Sequence, residues 1–97
     1  MIQSSRFAKL TFFRGRVALY AILKALNIGP GDEVATQAFT CVAVPEGIMA
    51  SGARPVWVDI EVDGYNMDAE DLRRKLTLRT RAIIVQHTYG IPADMDS

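Results

Sequence analysis

Three short strand-like segments, separated by stretches of helical character, limit the folds open to this chain more than any other feature. The segments are Asp32–Thr36, Pro55–Asp59 and Ala82–Val85, and the last two are almost continuously apolar. Continuous rather than alternating apolar residues indicate strands that are covered on both faces. Because helical segments separate the strands, the sequence predicts an α/β fold with a mainly parallel sheet and flanking helices.

The segments around the strands carry signals for the beginning or the end of a helix. Apolar residues recur at helical spacing within Gly15–Ile28, and the glycine and proline that follow are typical of a helix end. A second helix is predicted at Cys41–Ser51, with Gly52 ending it. A third is predicted to begin at Asp68, a favoured N-cap residue, with Asp71 at the capping-box position. The predicted order is therefore helix then strand, repeated along the chain.

Composition and charge exclude several classes of function. The 97 residues suffice for one small domain, and 49% of them are hydrophobic, which is enough for a core. Lys and Arg together number 11, as do Asp and Glu, so the net charge is zero. Neutrality argues against a partner that is a nucleic acid or an acidic membrane. The basic residues at 73–75, 79 and 81 are predicted to form a solvated helix face.

The single cysteine and the short apolar runs restrict the chain further. Cys41 alone cannot form an internal disulfide or a multi-cysteine zinc site, and no metal site is predicted. The longest apolar run, Val17–Leu23, is too short to span a bilayer, so a cytoplasmic protein is expected. The sequence stops directly after the third strand and its loop, which we interpret as the sign of a truncated domain.

Three segments lie where α/β sheets bind ligands, which is beyond the carboxyl ends of strands and at the N-termini of helices. They are Arg14–Val17, Phe39–Cys41 and Gln86–Gly90. The glycine of the first segment lets the backbone approach an anion, and the aromatic residue of the second can cover a planar ligand. His87 in the third segment is the one histidine and a candidate general base.

Each of these segments also has an ordinary structural interpretation, which the residues taken singly favour. The first is a tight turn that leads into a helix. Thr40 is a plain N-cap, Cys41 is a small buried thiol, and His87 is a hydrogen-bonded structural residue. Asp94 and Asp96 are expected to be solvated.

The motifs taken together are more specific than any one of them. They follow one another in the order and near the spacing of the DegT/DnrJ/StrS family of sugar aminotransferases, which the chain resembles from Gly15 to Asp96. The matching segments are Gly15–Tyr20, Gly29–Val34, Ala38–Thr40, Gly52–Asp59, Tyr65–Asp68, Thr80–Ile84 and His87–Asp96.

The resemblance implies a fold-type-I enzyme that depends on pyridoxal 5'-phosphate (PLP) and works as a homodimer. Such enzymes transfer an amino group, usually from glutamate, to a keto sugar that is linked to a nucleotide. Residues 1–97 would then form the N-terminal part of the large domain, in a truncated form.

The resemblance also assigns cofactor-binding residues. Gly15 and Arg16, with the neighbouring Val17, match the loop whose backbone amides hold the PLP phosphate. Phe39, Thr40 and Cys41 match the segment beside the cofactor ring. The chain departs from the family in two places: Arg16 stands where a threonine hydroxyl usually contacts the phosphate, and Cys41 stands where an aromatic residue usually stacks on the ring.

No catalytic residue is assigned within the chain. The family's aspartate that faces the pyridine nitrogen and its Schiff-base lysine both match positions beyond residue 97, so the isolated chain is expected to be inactive. Two alternatives stay open at this point. One is a fragment of a PLP-dependent sugar dehydratase, in which histidine replaces the lysine, and the other is a non-catalytic α/β remnant.

Overall fold

The computed structural model of the protein describes residues 9–96, and it contains a parallel sheet flanked by helices. The strands are β1 (Glu33–Gln37), β2 (Arg54–Val58) and β3 (Thr80–Ile83), arranged in the order β2-β1-β3. Both pairings are parallel. This confirms the predicted fold class, and the parallel pairing places the carboxyl ends of all three strands at one edge of the sheet.

Helices precede or connect the strands, as predicted. They are α1 (Gly15–Ala25), α2 (Ala43–Ala50) and α3 (Ala69–Lys75), and a short 3-10 turn spans Thr88–Gly90. No helix within residues 9–96 has both the length and the apolar character that crossing a membrane requires.

The core has two halves because neighbouring side chains of a strand point to opposite faces of the sheet. On one face, Val34 packs with residues of α1 and α2, including Leu23 and Ile48. On the other face, Ala35 packs with Val58 and Met67, and Leu72 of α3 packs against them. The helices therefore lie on both faces of the sheet.

The outer strands are less covered than their sequences predicted. Every residue of β1 is buried, as expected for a strand between two neighbours. Trp57 of β2 is 44% exposed and Ile83 of β3 is 42% exposed. Continuous apolar sequence therefore overstated the burial of these two strands within the described residues. β3 also begins and ends two residues earlier than predicted, although Ile84 still donates its amide to the carbonyl of Ala35.

The first helix ends earlier than predicted, and a different residue ends it. Asn27, not a glycine, adopts the left-handed conformation, with φ of 65°. Its amide donates to the Lys24 carbonyl, and the amide of Ile28 donates to the Leu23 carbonyl, which is the Schellman pattern. Asparagine tolerates this conformation because its short polar side chain can hydrogen-bond locally. The side chain of Ile28 then packs beside Leu23 in the core.

The predicted capping box of α3 is only half correct. Asp68 is the N-cap, and its carboxylate accepts the amide of Glu70 at 3.0 Å. Asp71 does not complete the box. Its buried carboxylate accepts the amide of Asp59 at 2.8 Å and pairs with Arg74 and Lys75, each at 2.9 Å. Asp71 therefore ties α3 to the chain that leaves β2.

A second buried carboxylate lies at the opposite edge of the sheet. Glu33 begins β1, and it pairs with Arg54, which begins β2. The hydroxyl of Thr77 donates to the same carboxylate at 2.7 Å. Both partners lower the pKa of Glu33, the Thr77 hydrogen bond most of all. The amino ends of the strands are thus joined by a charged cluster.

Helices α1 and α2 pack closely because Gly47 has no side chain. A Cβ atom at position 47 would lie 3.0 Å from Leu19 Cδ2 and 3.4 Å from the carbonyl oxygen of Arg16. Glycine inside a helix costs about 1 kcal/mol relative to alanine. We infer that the close helix contact offsets this cost, and that it fixes where the N-terminus of α1 lies.

Replacing Gly47 with valine should therefore separate the two helices. We expect Gly47→Val to lower the free energy of unfolding by about 1–3 kcal/mol, the usual cost of overpacking. Denaturant unfolding followed by circular dichroism measures it. The matched control is Ala50→Val, at an exposed position of the same helix, which should cost only a few tenths of a kcal/mol through helix propensity. Equal costs for the two variants would contradict the argument.

Asp71 should make stability depend on pH in the acid range. The amide of Asp59, then Lys75 and Arg74, lower the pKa of Asp71 from its ordinary 3.8 to about 2. A lowered pKa gives stability that is present above pH 3.8 and is lost as the pH falls towards 2. Asp71→Asn should lower the thermal midpoint at neutral pH, and its difference from the wild type should shrink over that window. Glu70→Gln, which removes an exposed pair with Arg73, is the control and should change little.

Candidate functional site

Two of the three segments singled out from the sequence meet at the carboxyl edge of the sheet. Phe39–Cys41 follows β1, and Gln86–Gly90 follows β3. Together they line a cavity of about 570 Å³, whose lining residues are Phe39, Thr40, Cys41, Gln86, His87, Thr88 and Tyr89. A cavity of this size suits a small planar molecule.

The side chain of Gln37 joins the loops around this cavity. Its Nε2 atom donates to the carbonyl oxygens of Phe39 and Tyr65, both at 2.7 Å, and to Thr88 Oγ1 at 3.0 Å. The side chain is fully buried. The sequence interpretation missed this residue, although a polar side chain at the end of a buried strand was a signal for it.

Asn66 makes a second set of links between the same loops. Its Nδ2 atom donates to the Ile91 carbonyl at 2.9 Å, and its Oδ1 atom accepts the amide of Thr88 at 2.8 Å. Asn66 is buried, and it was also missed. The loop that follows β3 is therefore bonded to the loop that follows β2 through both Gln37 and Asn66.

Thr40 and Cys41 do not have the ordinary roles that the sequence suggested. Helix α2 begins at Ala43, and its N-cap, Val42, makes no side-chain hydrogen bond. The hydroxyl of Thr40 instead donates to Gln86 Oε1 at 2.5 Å, and both residues line the cavity. Cys41 is exposed rather than buried, because its side chain lies on the wall of the cavity.

Three aromatic rings cluster beside the cavity. The ring centroids of Phe39 and Tyr65 are 5.6 Å apart, those of Tyr65 and Tyr89 are 5.5 Å apart, and those of Phe39 and Tyr89 are 6.4 Å apart. We call these three residues the aromatic cluster. Tyr89 has a positive φ of 56°, which is uncommon for a bulky residue and is retained where the surroundings enforce it.

His87 is held by a hydrogen bond, in agreement with its structural interpretation. Its Nδ1 atom accepts the amide of Ala93 at 2.9 Å. Since Nδ1 is the acceptor, a neutral ring carries its proton on Nε2. The histidine also lines the cavity. The hydrogen bond from Ala93 therefore fixes the orientation of a ring on the cavity wall.

The third predicted segment, Arg14–Val17, lies at the N-terminus of α1 and borders a separate cavity. This cavity is about 430 Å³ and is lined by Arg14, Gly15, Arg16, Leu19, Ala43 and Val44. The first amides of a helix have no partner within the helix, and the N-cap Arg14 supplies no side-chain acceptor. The amides of Val17 and Ala18 already donate to the Arg14 carbonyl at 3.1 and 3.2 Å. The amides of Gly15 and Arg16 have no acceptor among residues 9–96, so they are candidates for binding a ligand.

The side chain of Arg16 is held by a residue of the neighbouring helix. Its guanidinium forms an ion pair with Glu46 of α2, and both side chains are partly exposed. A Cβ atom on Gly15 would meet no described atom within 4 Å, so the backbone there is open to an approaching group. Within residues 9–96, no group of three or more His, Cys, Asp or Glu side chains could hold a metal ion.

Comparison with known proteins places these features in a family. Residues 8–97 match the model of the DegT/DnrJ/EryC1/StrS aminotransferase family. The chain belongs to this family. It is 47% identical over 81 residues to a UDP-N-acetyl-3-dehydro-α-D-glucosamine 3-aminotransferase of Acidithiobacillus ferrooxidans, a match that covers 84% of this chain and 22% of that protein. It is also 47% identical over 83 residues to a UDP-2-acetamido-2-deoxy-3-oxo-D-glucuronate aminotransferase of Pseudomonas aeruginosa, covering 86% of this chain and 23% of that protein.

Solved structures of the family agree with the fold. S. venezuelae DesV superposes with a TM-score of 0.82 at 43% identity, over 84% of this chain and 22% of that one. The PLP form of a Streptococcus pneumoniae protein assigned to the sugar aminotransferases superposes with a TM-score of 0.81 at 42% identity, over 84% of this chain and 21% of that one. The chain thus spans less than a quarter of the length of these relatives.

PLP is the cofactor expected of this chain of the DegT/DnrJ/EryC1/StrS family. The solved structures of its relatives include one in the PLP form and two in the PMP form. Two sets of described residues have the chemistry that parts of such a molecule require. The amides of Gly15 and Arg16, which have no acceptor among the described residues, suit a phosphate dianion, because a helix N-terminus offers donors and a partial positive charge. The aromatic cluster and Thr40 offer a surface and a hydroxyl to a planar heterocycle.

Proposed function

We propose that this chain supplies part of the cofactor site of a sugar aminotransferase that transfers an amino group, from glutamate, to a keto sugar linked to a nucleotide. The observation that carries the proposal is the N-terminus of α1, where two amides have no acceptor in the described part of a chain of the DegT/DnrJ/EryC1/StrS family. Relatives named for UDP-linked and dTDP-linked sugars support the substrate class. In this proposal, residues 1–97 are the N-terminal part of the large domain, and the whole enzyme is a cytoplasmic homodimer.

The backbone at the start of α1 holds the phosphate. The amides of Gly15 and Arg16 donate to its oxygens, and the helix dipole adds favourable charge. Val17 contributes less to phosphate binding than the sequence suggested, since its amide already donates to the Arg14 carbonyl. It belongs to the site only as part of the first turn of α1. The pairing of Arg16 with Glu46 leaves the guanidinium outside the phosphate contacts.

The segment Phe39–Cys41 lies beside the cofactor ring. The hydroxyl of Thr40 is fixed by Gln86, and Cys41 lines the cavity wall where an aromatic residue is usual in the family. Phe39, in contact with the other rings of the aromatic cluster, takes part of that stacking role. When bound, PLP supplies the electron sink for amino-group transfer, and these residues orient its ring and exclude water.

Two substitutions separate the contributions of backbone and side chain at the phosphate. Gly15→Val should weaken PLP binding about tenfold or more, the equivalent of losing a charge-assisted hydrogen bond, because its side chain would occupy the space of the phosphate. It should leave the fold intact, since a Cβ atom meets no described neighbour there. Arg16→Ala should change PLP affinity by less than about threefold. Spectroscopic titration of the protein that carries this chain measures both.

The control for Arg16 is Glu46→Gln, which removes its ion-pair partner. A loss of PLP affinity of roughly tenfold to 100-fold in Arg16→Ala would show that the guanidinium contacts the phosphate. Unchanged affinity in Gly15→Val would remove the phosphate site from the N-terminus of α1.

The isolated chain of residues 1–97 should show no transamination, whereas the whole protein should be active. The chain's lysines do not match the family's catalytic lysine: Lys75 is paired with Asp71 at 2.9 Å, and Lys24 is exposed on α1. The measurement follows conversion of glutamate to 2-oxoglutarate in the presence of a nucleotide-linked keto sugar. Consumption of the sugar without consumption of glutamate would favour a dehydratase, and activity of the isolated chain would refute the proposal.

A further inference from the structure

We infer that Gln37 is a positioning residue of the proposed cofactor site, whose side-chain amide sets the geometry of the aromatic cluster. The inference rests on the proposed function, because the segment that follows Gln37 is the one assigned to the cofactor ring. Gln37 itself touches neither cofactor nor substrate in this proposal, and it acts through the loops that do.

One amide group fixes the backbones around all three rings. The Nε2 atom of Gln37 donates to the carbonyls of Phe39 and Tyr65, which carry two of the rings. It also donates to the hydroxyl of Thr88, the residue directly before Tyr89. That hydroxyl in turn donates to the Tyr65 carbonyl at 3.0 Å. The loops that follow β1, β2 and β3 therefore meet at a single nitrogen atom.

The orientation of the amide follows from its partners. Carbonyl oxygens only accept hydrogen bonds, so the group that faces Phe39 and Tyr65 must be the NH₂ end. The nitrogen has two hydrogens for three acceptors, so at least one hydrogen is shared. Rotation of the amide by 180° would turn Oε1 toward two carbonyl oxygens and would break both hydrogen bonds to the backbone.

A glutamine at position 37 lowers the stability of the fold relative to an apolar residue, which indicates that its hydrogen bonds serve the site and not only the core. The side chain is fully buried, and its Oε1 atom has no hydrogen-bond partner among the described residues. A buried polar atom without a partner destabilises the fold, and an apolar side chain in this position would avoid that. The hydrogen bonds that an apolar residue would lose are those that hold the cavity loops together.

The test compares Gln37→Met with a neighbouring control in the protein that carries this chain. Methionine has a similar length and no donor. The control is Thr36→Val, since Thr36 is fully buried on the same strand and its hydroxyl has no partner in the described part of the chain. Both variants remove a buried polar group from β1, but only Gln37→Met removes the links between loops.

Three measurements are made on each variant: the dissociation constant of PLP by titration, the visible circular dichroism of bound PLP, and hydrogen exchange of the cavity loops without PLP. Gln37→Met should bind PLP about tenfold more weakly and alter its circular dichroism, with faster exchange at residues 39–41, 65–67 and 87–90. Thr36→Val should match the wild type in all three. Wild-type affinity and dichroism in a folded Gln37→Met would overturn the inference.

A second variant keeps the inference testable if Gln37→Met does not fold. Thr88→Val removes one acceptor of Gln37 and keeps the amide of residue 88 on Asn66. It should weaken PLP binding less than Gln37→Met and should raise exchange mainly at residues 87–90, and no change in either would also overturn the inference. If the wild-type protein itself fails to bind PLP, the proposed function fails instead.

Discussion

The burial of β1 on both faces, with a parallel neighbour on each side, is the constraint on which the rest of the structure depends. A strand in that position must pair its backbone with both neighbours, and parallel pairing then brings the ends of all three strands to one edge. The loops after β1 and β3 consequently form one cavity although about 46 residues separate Thr40 from Gln86 in sequence. The helices follow from the same constraint, since each face of β1 needs an apolar cover.

The fold was largely predictable because its signals are local. Apolar runs indicated the strands and helical spacing indicated the helices. The structure contains each of these strands and helices. Boundaries were less predictable because they depend on backbone conformation that several residue types allow. Asn27 ends α1 by adopting a positive φ, whereas the sequence pattern predicted that the glycine two residues later would do so. Asp71 looked like a capping residue, yet it bonds the amide of Asp59, a partner that only the packing of α3 on β2 provides.

The sequence indicated the segments that surround the candidate site, but not the hydrogen bonds that join them. Topology alone indicated that the ends of strands and the start of α1 would bind a ligand, and the family resemblance assigned roles to those segments. Gln37 and Asn66 were not predicted as site residues, because their role is to join particular loops. Which loops they join depends on the register of the sheet. Cys41 was expected to be buried, as small thiols usually are, but α2 begins two residues beyond it and leaves it on the cavity wall.

The linings of the two cavities show how a chain of zero net charge can attract an anion. No acidic side chain lines either cavity within residues 9–96, whereas Arg14 and Arg16 border the smaller one. The carboxylate of Glu46 pairs with Arg16 there, whereas Glu33 is buried at the opposite edge of the sheet and Asp71 is buried on α3. A preference for an anion at this place therefore depends on the backbone donors and partial positive charge at the N-terminus of α1, not on a surplus of basic residues. In the proposed site these donors would hold a phosphate group, while the neutral total gives polyanions such as nucleic acids no general attraction.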